Sequence, residues 1–150
     1  MFLSVSAYAE IADKIIVSKT DKVLYLQNNN KVFASYPVVF GGNPEGHKEQ
    51  EGDNKTPEAE YIIDFKKEDS AYFKALHISY PNEQDKANAK AKGVSPGGDI
   101  MIHGQKNGFG WLYFISQYFN WTKGCIALSN DNMQKVWQSV NAGTKIVINK

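Results

Sequence analysis

At 150 residues, with 42% hydrophobic and 13% aromatic content, the chain fits one domain with a core of its own. Its 17 basic and 16 acidic residues leave a net charge of +1, and nothing in that balance points to a nucleic-acid binder, which usually carries a basic stripe. No apolar run approaches the roughly 20 residues of a membrane-spanning helix. Every basic residue is Lys, so any anion must be met by ammonium or backbone N–H groups rather than by a guanidinium fork.

The chain opens with Met1-Phe2-Leu3-Ser4-Val5-Ser6-Ala7-Tyr8-Ala9-Glu10, where Ala7-Tyr8-Ala9 follows a short apolar stretch. Although a basic n-region is missing, this reads as the tail of a secretory signal peptide over residues 1–9, ahead of a single domain over residues 10–150. Ile15-Ile16-Val17 and Val23-Leu24-Tyr25-Leu26 are β-rich. Gln27-Asn28-Asn29-Asn30-Lys31 is a turn before β character resumes over residues 32–40, which predicts a β-meander. Gly41-Gly42-Asn43-Pro44-Glu45-Gly46 breaks it, and the polar residues 47–57 predict an exposed loop with a solvated His47. Residues 61–65 predict a strand, 70–76 a helical turn, 77–80 a short strand ended by Pro81, and 85–92 an exposed helix. Ile100-Met101-Ile102-His103 has the character of a buried strand. Trp111, Phe114, Ile115 and Tyr118 fall at helical spacing within residues 111–119. Met133, Val136, Trp137 and Val140 share one face of a helix over residues 130–140, capped by Ser129 or Asn130 and ended by Gly143, before a last strand over residues 145–148. The sum is a mainly β fold, a two-sheet sandwich or open barrel with two or three short helices packed on it.

Cys125 is the single cysteine, so no intrachain disulfide forms, and an unpaired Cys in an exported chain points to a reactive thiol. With a free pKa of about 8.5, a thiol needs a neighbouring base or cation to act as a nucleophile at neutral pH. His103 ends an apolar strand and precedes Gly104, which makes it the best-placed base, 22 positions before Cys125. Gly124 has no side chain to bar a substrate carbonyl, so N–H groups around Gly124 and Cys125 are candidate oxyanion donors. Three scattered His and one Cys fit no zinc spacing, so no metal is expected. His77 reads as a structural histidine. Tyr80 and Trp121 flank the site elements as candidate groove walls or core residues, and Asp53 reads as a turn residue or as a brace of the loop near the site.

The segments Ile102-His103-Gly104 and Trp121-Thr122-Lys123-Gly124-Cys125-Ile126-Ala127-Leu128 resemble the L,D-transpeptidase catalytic domain of the YkuD-type family, in its YafK-like murein transpeptidase-related branch. The likeness covers most of the chain. It includes Lys19-Thr20-Asp21-Lys22-Val23-Leu24-Tyr25-Leu26, residues 41–61, His77-Ile78-Ser79-Tyr80-Pro81-Asn82, and the Ser95-Pro96-Gly97-Gly98-Asp99 lead into His103.

This resemblance implies Cys125 as acyl-accepting nucleophile, His103 as its base and the Gly104 carbonyl as the group that orients the His103 ring. Gly124, Lys123, Thr122, Tyr80 and Trp121 would bind substrate. It implies peptidoglycan peptide stems containing meso-diaminopimelate as substrate, no cofactor, and a periplasmic or otherwise exported location. A thioacyl-enzyme would be resolved by an amine, giving cross-links or exchange, or by water, giving stem trimming or release of wall-linked protein. Carbapenem-type inhibitors would acylate the same thiol. An inactive peptidoglycan-binding module is the alternative of a different class, against which the intact His103, Gly104, Gly124 and Cys125 set argues. Lys123 stands where the family commonly has a second His, Ala127 stands where Arg often follows, and the interval from His103 to Thr122 is slightly long. These departures alter the charge at the pocket mouth. Lys123 either lowers the Cys125 pKa, binds a stem carboxylate or is simply solvated.

Overall fold

The structure is a computed structural model that describes residues 8–150. The signal-like stretch therefore lies outside the described residues as far as Ala7. Strands β1 (Lys14–Ser18), β2 (Val23–Asn28) and β3 (Lys31–Pro37) form the antiparallel meander read from the sequence. Alternation decides which side chains enter the core, so Ile15, Val17, Leu24 and Leu26 point inward and are fully buried. Asn29 and Asn30 both adopt positive φ, 48° and 62°, as a tight hairpin turn requires.

Eight further elements and a 3-10 turn follow among the described residues. They are β4 (Glu60–Ser70), β5 (Phe73–Ile78), α1 (Glu83–Ala91), β6 (Met101–His103), the 3-10 turn Gly110–Leu112 leading into α2 (Tyr113–Ser116), β7 (Ile126–Ala127), α3 (Asn130–Ser139) and β8 (Lys145–Asn149). The strands run in the order β3-β2-β1-β8-β4-β5-β6-β7. β4 joins two strand groups, because Glu60–Ile62 pair with β8 and Ile63 onward pairs with β5. Pairs β1–β8 and β6–β7 are parallel and the others antiparallel. The two outer edges meet only through single bridges, Val39 with Ala127 and Gly41 with Thr122, so the sheet stays open. This is the mainly β architecture with short helices that the sequence predicts.

Two local expectations are corrected. Residues 70–76 form the β4–β5 hairpin rather than a helical turn, with Phe73 at φ 71°. The hairpin sets Ala75 and Leu76 between β4 and β6, where both are fully buried, and Leu76 pairs with Ile102. A helix there would leave β6 without its antiparallel neighbour. Residues 111–119 form only one 3-10 turn and one α turn, neither with a side-chain cap, and their large apolar side chains face outward. Segments this short and uncapped do not propagate. By contrast α1 has a full capping box between Asn82 and Asp85, and α3 is capped by the Ser129 hydroxyl. α3 buries Met133 and Val136 and packs on β5.

Candidate active site

Strand register brings His103 and Cys125 together. In the parallel β6–β7 pair Ile102 faces Ile126 and His103 faces Ala127. Cys125 immediately precedes β7, and side chains two apart on a strand share a face. His103 and Cys125 therefore lie diagonally on one face of the sheet, and both line a groove of about 770 Å³.

His103 is 5% exposed, and its Nδ1 lies 2.6 Å from the Gly104 carbonyl oxygen. A carbonyl only accepts, so Nδ1 carries the proton and Nε2 keeps its lone pair. Gly104 is confined, since an added Cβ would lie 2.6 Å from Asn130 Oδ1 and 3.1 Å from the Tyr72 carbonyl oxygen. The Tyr72 ring packs over His103 with centroids 4.5 Å apart, and Trp121 approaches it edge-on at 5.8 Å. Burial holds the His103 pKa below its ordinary 6.5, against an opposing pull from the Gly104 carbonyl. The imidazole is thus neutral at neutral pH and fit to accept a proton.

Cys125 sits on a turn closed by Thr122. The Gly124 N–H donates to Thr122 Oγ1 at 3.1 Å, and the Thr122 hydroxyl donates to the Cys125 carbonyl at 2.7 Å. Gly124 has φ 133°, and a Cβ there would lie 2.7 Å from the Lys55 carbonyl oxygen, so only glycine fits. The Cys125 N–H finds no acceptor among the described residues. The thiol donates to the Asp99 carbonyl at 3.4 Å, and no hydrogen bond joins it to His103 among the described residues. Burial pushes the thiol pKa up, the Met101 backbone pulls it down, the Asp99 carboxylate raises it and the Lys48 ammonium lowers it. The net shift is upward, so the resting pair is a neutral thiol beside a neutral imidazole.

Residues 43–58 form the opposite wall. Lys48 is 3% exposed and donates to Asp53 Oδ1 at 2.8 Å and to the Gln50 carbonyl at 3.1 Å. Asp53 also accepts from the N–H groups of Glu49, Gln50 and Lys55 at 2.9–3.1 Å. Burial alone would raise the Asp53 pKa, but the Lys48 ammonium and these three N–H groups hold it down at about 2. Asp53 is therefore the brace of the loop whose Lys55 carbonyl touches Gly124, more than an ordinary turn residue.

Of the residues expected to bind substrate, Thr122, Lys123 and Trp121 line the groove, and Gly124 shapes the turn beneath it. Lys123 is exposed. Tyr80 lies elsewhere, at 3% exposure in the core against Tyr61, donating its hydroxyl to the Pro96 carbonyl at 2.7 Å. His47 is bonded rather than solvated, with Nε2 2.8 Å from Asp85 Oδ1 and Nδ1 accepting the Glu58 N–H at 2.8 Å. His77 is held 2.6 Å from Asp64, as a structural histidine should be. Sequence reasoning missed Tyr72, Lys48 and Asp99, all groove residues. Tyr72 was masked by the helical reading of residues 70–76, and Lys48 carries no local signal in its polar run. Among the described residues no group of three His, Cys, Asp or Glu could hold a metal ion.

The family model for the L,D-transpeptidase catalytic domain, YkuD, matches residues 12–148. YafK of Escherichia coli K12, whose L,D-transpeptidase name is provisional, is 30% identical over 108 residues, which is 71% of this chain and 36% of YafK. The helical cell shape determining protein Pgp2 of Campylobacter jejuni has a similar structure, with TM-score 0.67 and 29% identity over 90% of this chain and 46% of Pgp2. The LD transpeptidase LdtMt1, solved in complex with imipenem, shares the fold at TM-score 0.58 and 17% identity, over 90% of this chain and 57% of its own. The chain thus spans about a third of the length of YafK and about half that of Pgp2. With the family pattern running from the first strand to the last, the chain belongs to the L,D-transpeptidase catalytic-domain family.

Proposed function

We propose that this domain catalyses acyl transfer on peptidoglycan peptide stems through a thioester on Cys125, with His103 as base, at an exported location. The observation that carries this reading is the His103 tautomer. The bond to the Gly104 carbonyl leaves Nε2 unprotonated, in the same groove and on the same sheet face as the thiol. Substrate entry displaces the thiol from the Asp99 carbonyl, and Nε2 takes its proton. The sulfur attacks the carbonyl carbon of a meso-diaminopimelate residue, and the oxyanion is met by the unengaged Cys125 N–H. The Gly124 N–H, already bonded to Thr122, is the weaker candidate for that role. His103 returns the proton to the departing amine, the D-amino acid leaves, and a thioester remains. An incoming amine or water then attacks the thioester carbon, losing its proton to His103 as the thiol is released.

Purified cell-wall material incubated with the protein, then read by mass spectrometry, tests the reading against a Cys125→Ala control. New cross-linked or D-amino-acid-exchanged stems made only by the wild type identify an amine acceptor. Shortened stems or released wall-linked protein identify water. Identical profiles from both proteins would overturn the thioester mechanism. A carbapenem should add its mass to the wild type and leave Cys125→Ala unchanged.

A further inference from the structure

The segment between His103 and Cys125 is turned inside out. Trp111, Tyr113, Phe114, Ile115, Tyr118 and Phe119 are between 47% and 77% exposed. Scattered apolar side chains on a surface need no explanation, but a contiguous group marks a contact with something apolar. The uncharged polar side chains of the same segment are instead tied back to the domain or buried. Ser116 donates to Gln105 Oε1 at 2.6 Å, Asn120 Oδ1 accepts the Phe40 N–H at 3.0 Å, and the Gln117 amide is buried. Asn107 is tied back to the Ser70 carbonyl at 3.0 Å and the Phe73 N–H at 2.9 Å. Turned inward, these groups offer a saccharide no hydrogen-bond partners, whereas an apolar surface requires none.

Charge points to the same occupant. The 16 residues 107–122 carry no ionisable acid or base other than tyrosine, and exposed Lys106 and Lys123 bracket them. The Lys106 ammonium lies 5.7 Å from the Phe109 ring centroid, so its stem extends the apolar face while its charge sits at the rim. On the adjoining hairpin, Lys66 and Lys67 offset Glu68 and Asp69. Trp and Tyr settle at headgroup depth, Phe and Ile below it, and lysines meet anionic headgroups.

From this pattern we propose that residues 109–119 dock peripherally on an anionic lipid bilayer. No helix among the described residues is long and apolar enough to cross a membrane, and this docking requires none. Trp121, two positions after Phe119, lines the groove, so docking would hold the groove mouth beside the lipid surface.

Sedimentation with vesicles of phosphatidylethanolamine and phosphatidylglycerol tests this, with neutral phosphatidylcholine vesicles and stem-stripped glycan strands alongside. The wild type should pellet with the anionic vesicles and much less with the neutral ones. Lys106→Gln should lower the partition coefficient about fivefold. Trp111→Ser with Phe114→Ser should abolish binding without shifting the unfolding temperature, because both side chains are exposed. Tyr118→Ser alone should give a partial loss. The proposal fails if the wild type stays in the supernatant with every vesicle, or if the double variant pellets as well as the wild type. It also fails if the protein pellets with glycan only, or if it forms a dimer that ignores vesicles and that the double variant dissolves.

Discussion

Two segments of the chain, one walling the groove and one preceding Trp121 at its rim, invert what their compositions predict. Residues 43–58 are strongly polar, yet they hold buried charges. The Lys19 ammonium donates to the carbonyls of Pro44 at 3.0 Å and Gly46 at 2.9 Å, to the Thr56 carbonyl and to Glu58 Oε1 at 3.1 Å. Lys48 and Asp53 close the same loop from the groove side. Residues 109–119 are strongly apolar, yet they face outward. A buried ion is tolerated when each of its donors and acceptors has a partner. Hydrogen bonds are directional, so such a loop has one arrangement, which suits a wall that touches the Cys125 turn. Apolar contact is not directional, which suits a surface that meets a fluid partner.

One glycine beside each region gives the largest contrast. Gly124→Ala forces a Cβ against the Lys55 carbonyl oxygen at 2.7 Å, in a backbone conformation of φ 133°. The turn must move off the loop and carry Cys125 with it. A shift of about 1 Å at the reacting group should reduce acyl transfer about a hundredfold. Gly108→Ala, at φ 84° with nothing within 4 Å of the new Cβ, meets only backbone strain and should cost about 1 kcal/mol of stability with little loss of rate. Comparable rates for the two variants would show that the loop does not position the turn.

Asp53→Asn should produce the next largest effect. It leaves the Lys48 ammonium buried without its counter-charge, a loss on the order of 3 kcal/mol by chemical denaturation at pH 7. The pH dependence follows from the sign of the shift. Asp53 has a folded pKa of about 2, below the ordinary carboxylate value of about 3.9, so its contribution is complete above pH ~4 and fades as pH falls toward 2. The gap between wild type and variant should therefore narrow over that window. A gap that stays constant with pH would assign the loss to packing instead of charge.

How much of this was legible depended on whether the signal was local. The meander strands, the capped helices α1 and α3, and the His103-Gly104 and Gly124-Cys125 pairs are written in adjacent residues. The Gly104 carbonyl partner of His103 is itself next in the chain. The β4–β5 hairpin was not legible, because Ala75 and Leu76 are strand residues only by virtue of β6, which lies some 26 positions further on in the pairing of Leu76 with Ile102. Tyr72 was lost with it. Tyr80 illustrates the same limit, since its place in the core is set by Tyr61 and its hydroxyl is satisfied by Pro96. The burial of Lys48 rests on Asp53, and nothing in a run of polar residues distinguishes a satisfied ammonium from a hydrated one.

The smallest expected effect sharpens the comparison from the apolar side. If residues 109–119 face outward in the free protein, Trp111→Ser removes a large ring from water rather than from the core. The ring is 68% exposed, so the change in unfolding free energy should stay within about 0.5 kcal/mol. Truncating fully buried Leu76 to Ala should instead cost about 2–5 kcal/mol, through lost transfer energy and the cavity left behind. Calorimetry on the two variants separates the cases directly. A Trp111→Ser loss approaching that of Leu76→Ala would mean that the ring folds back onto the domain in solution. The inside-out arrangement, and the docking surface argued from it, would then fall together, while the Cys125–His103 reading would stand.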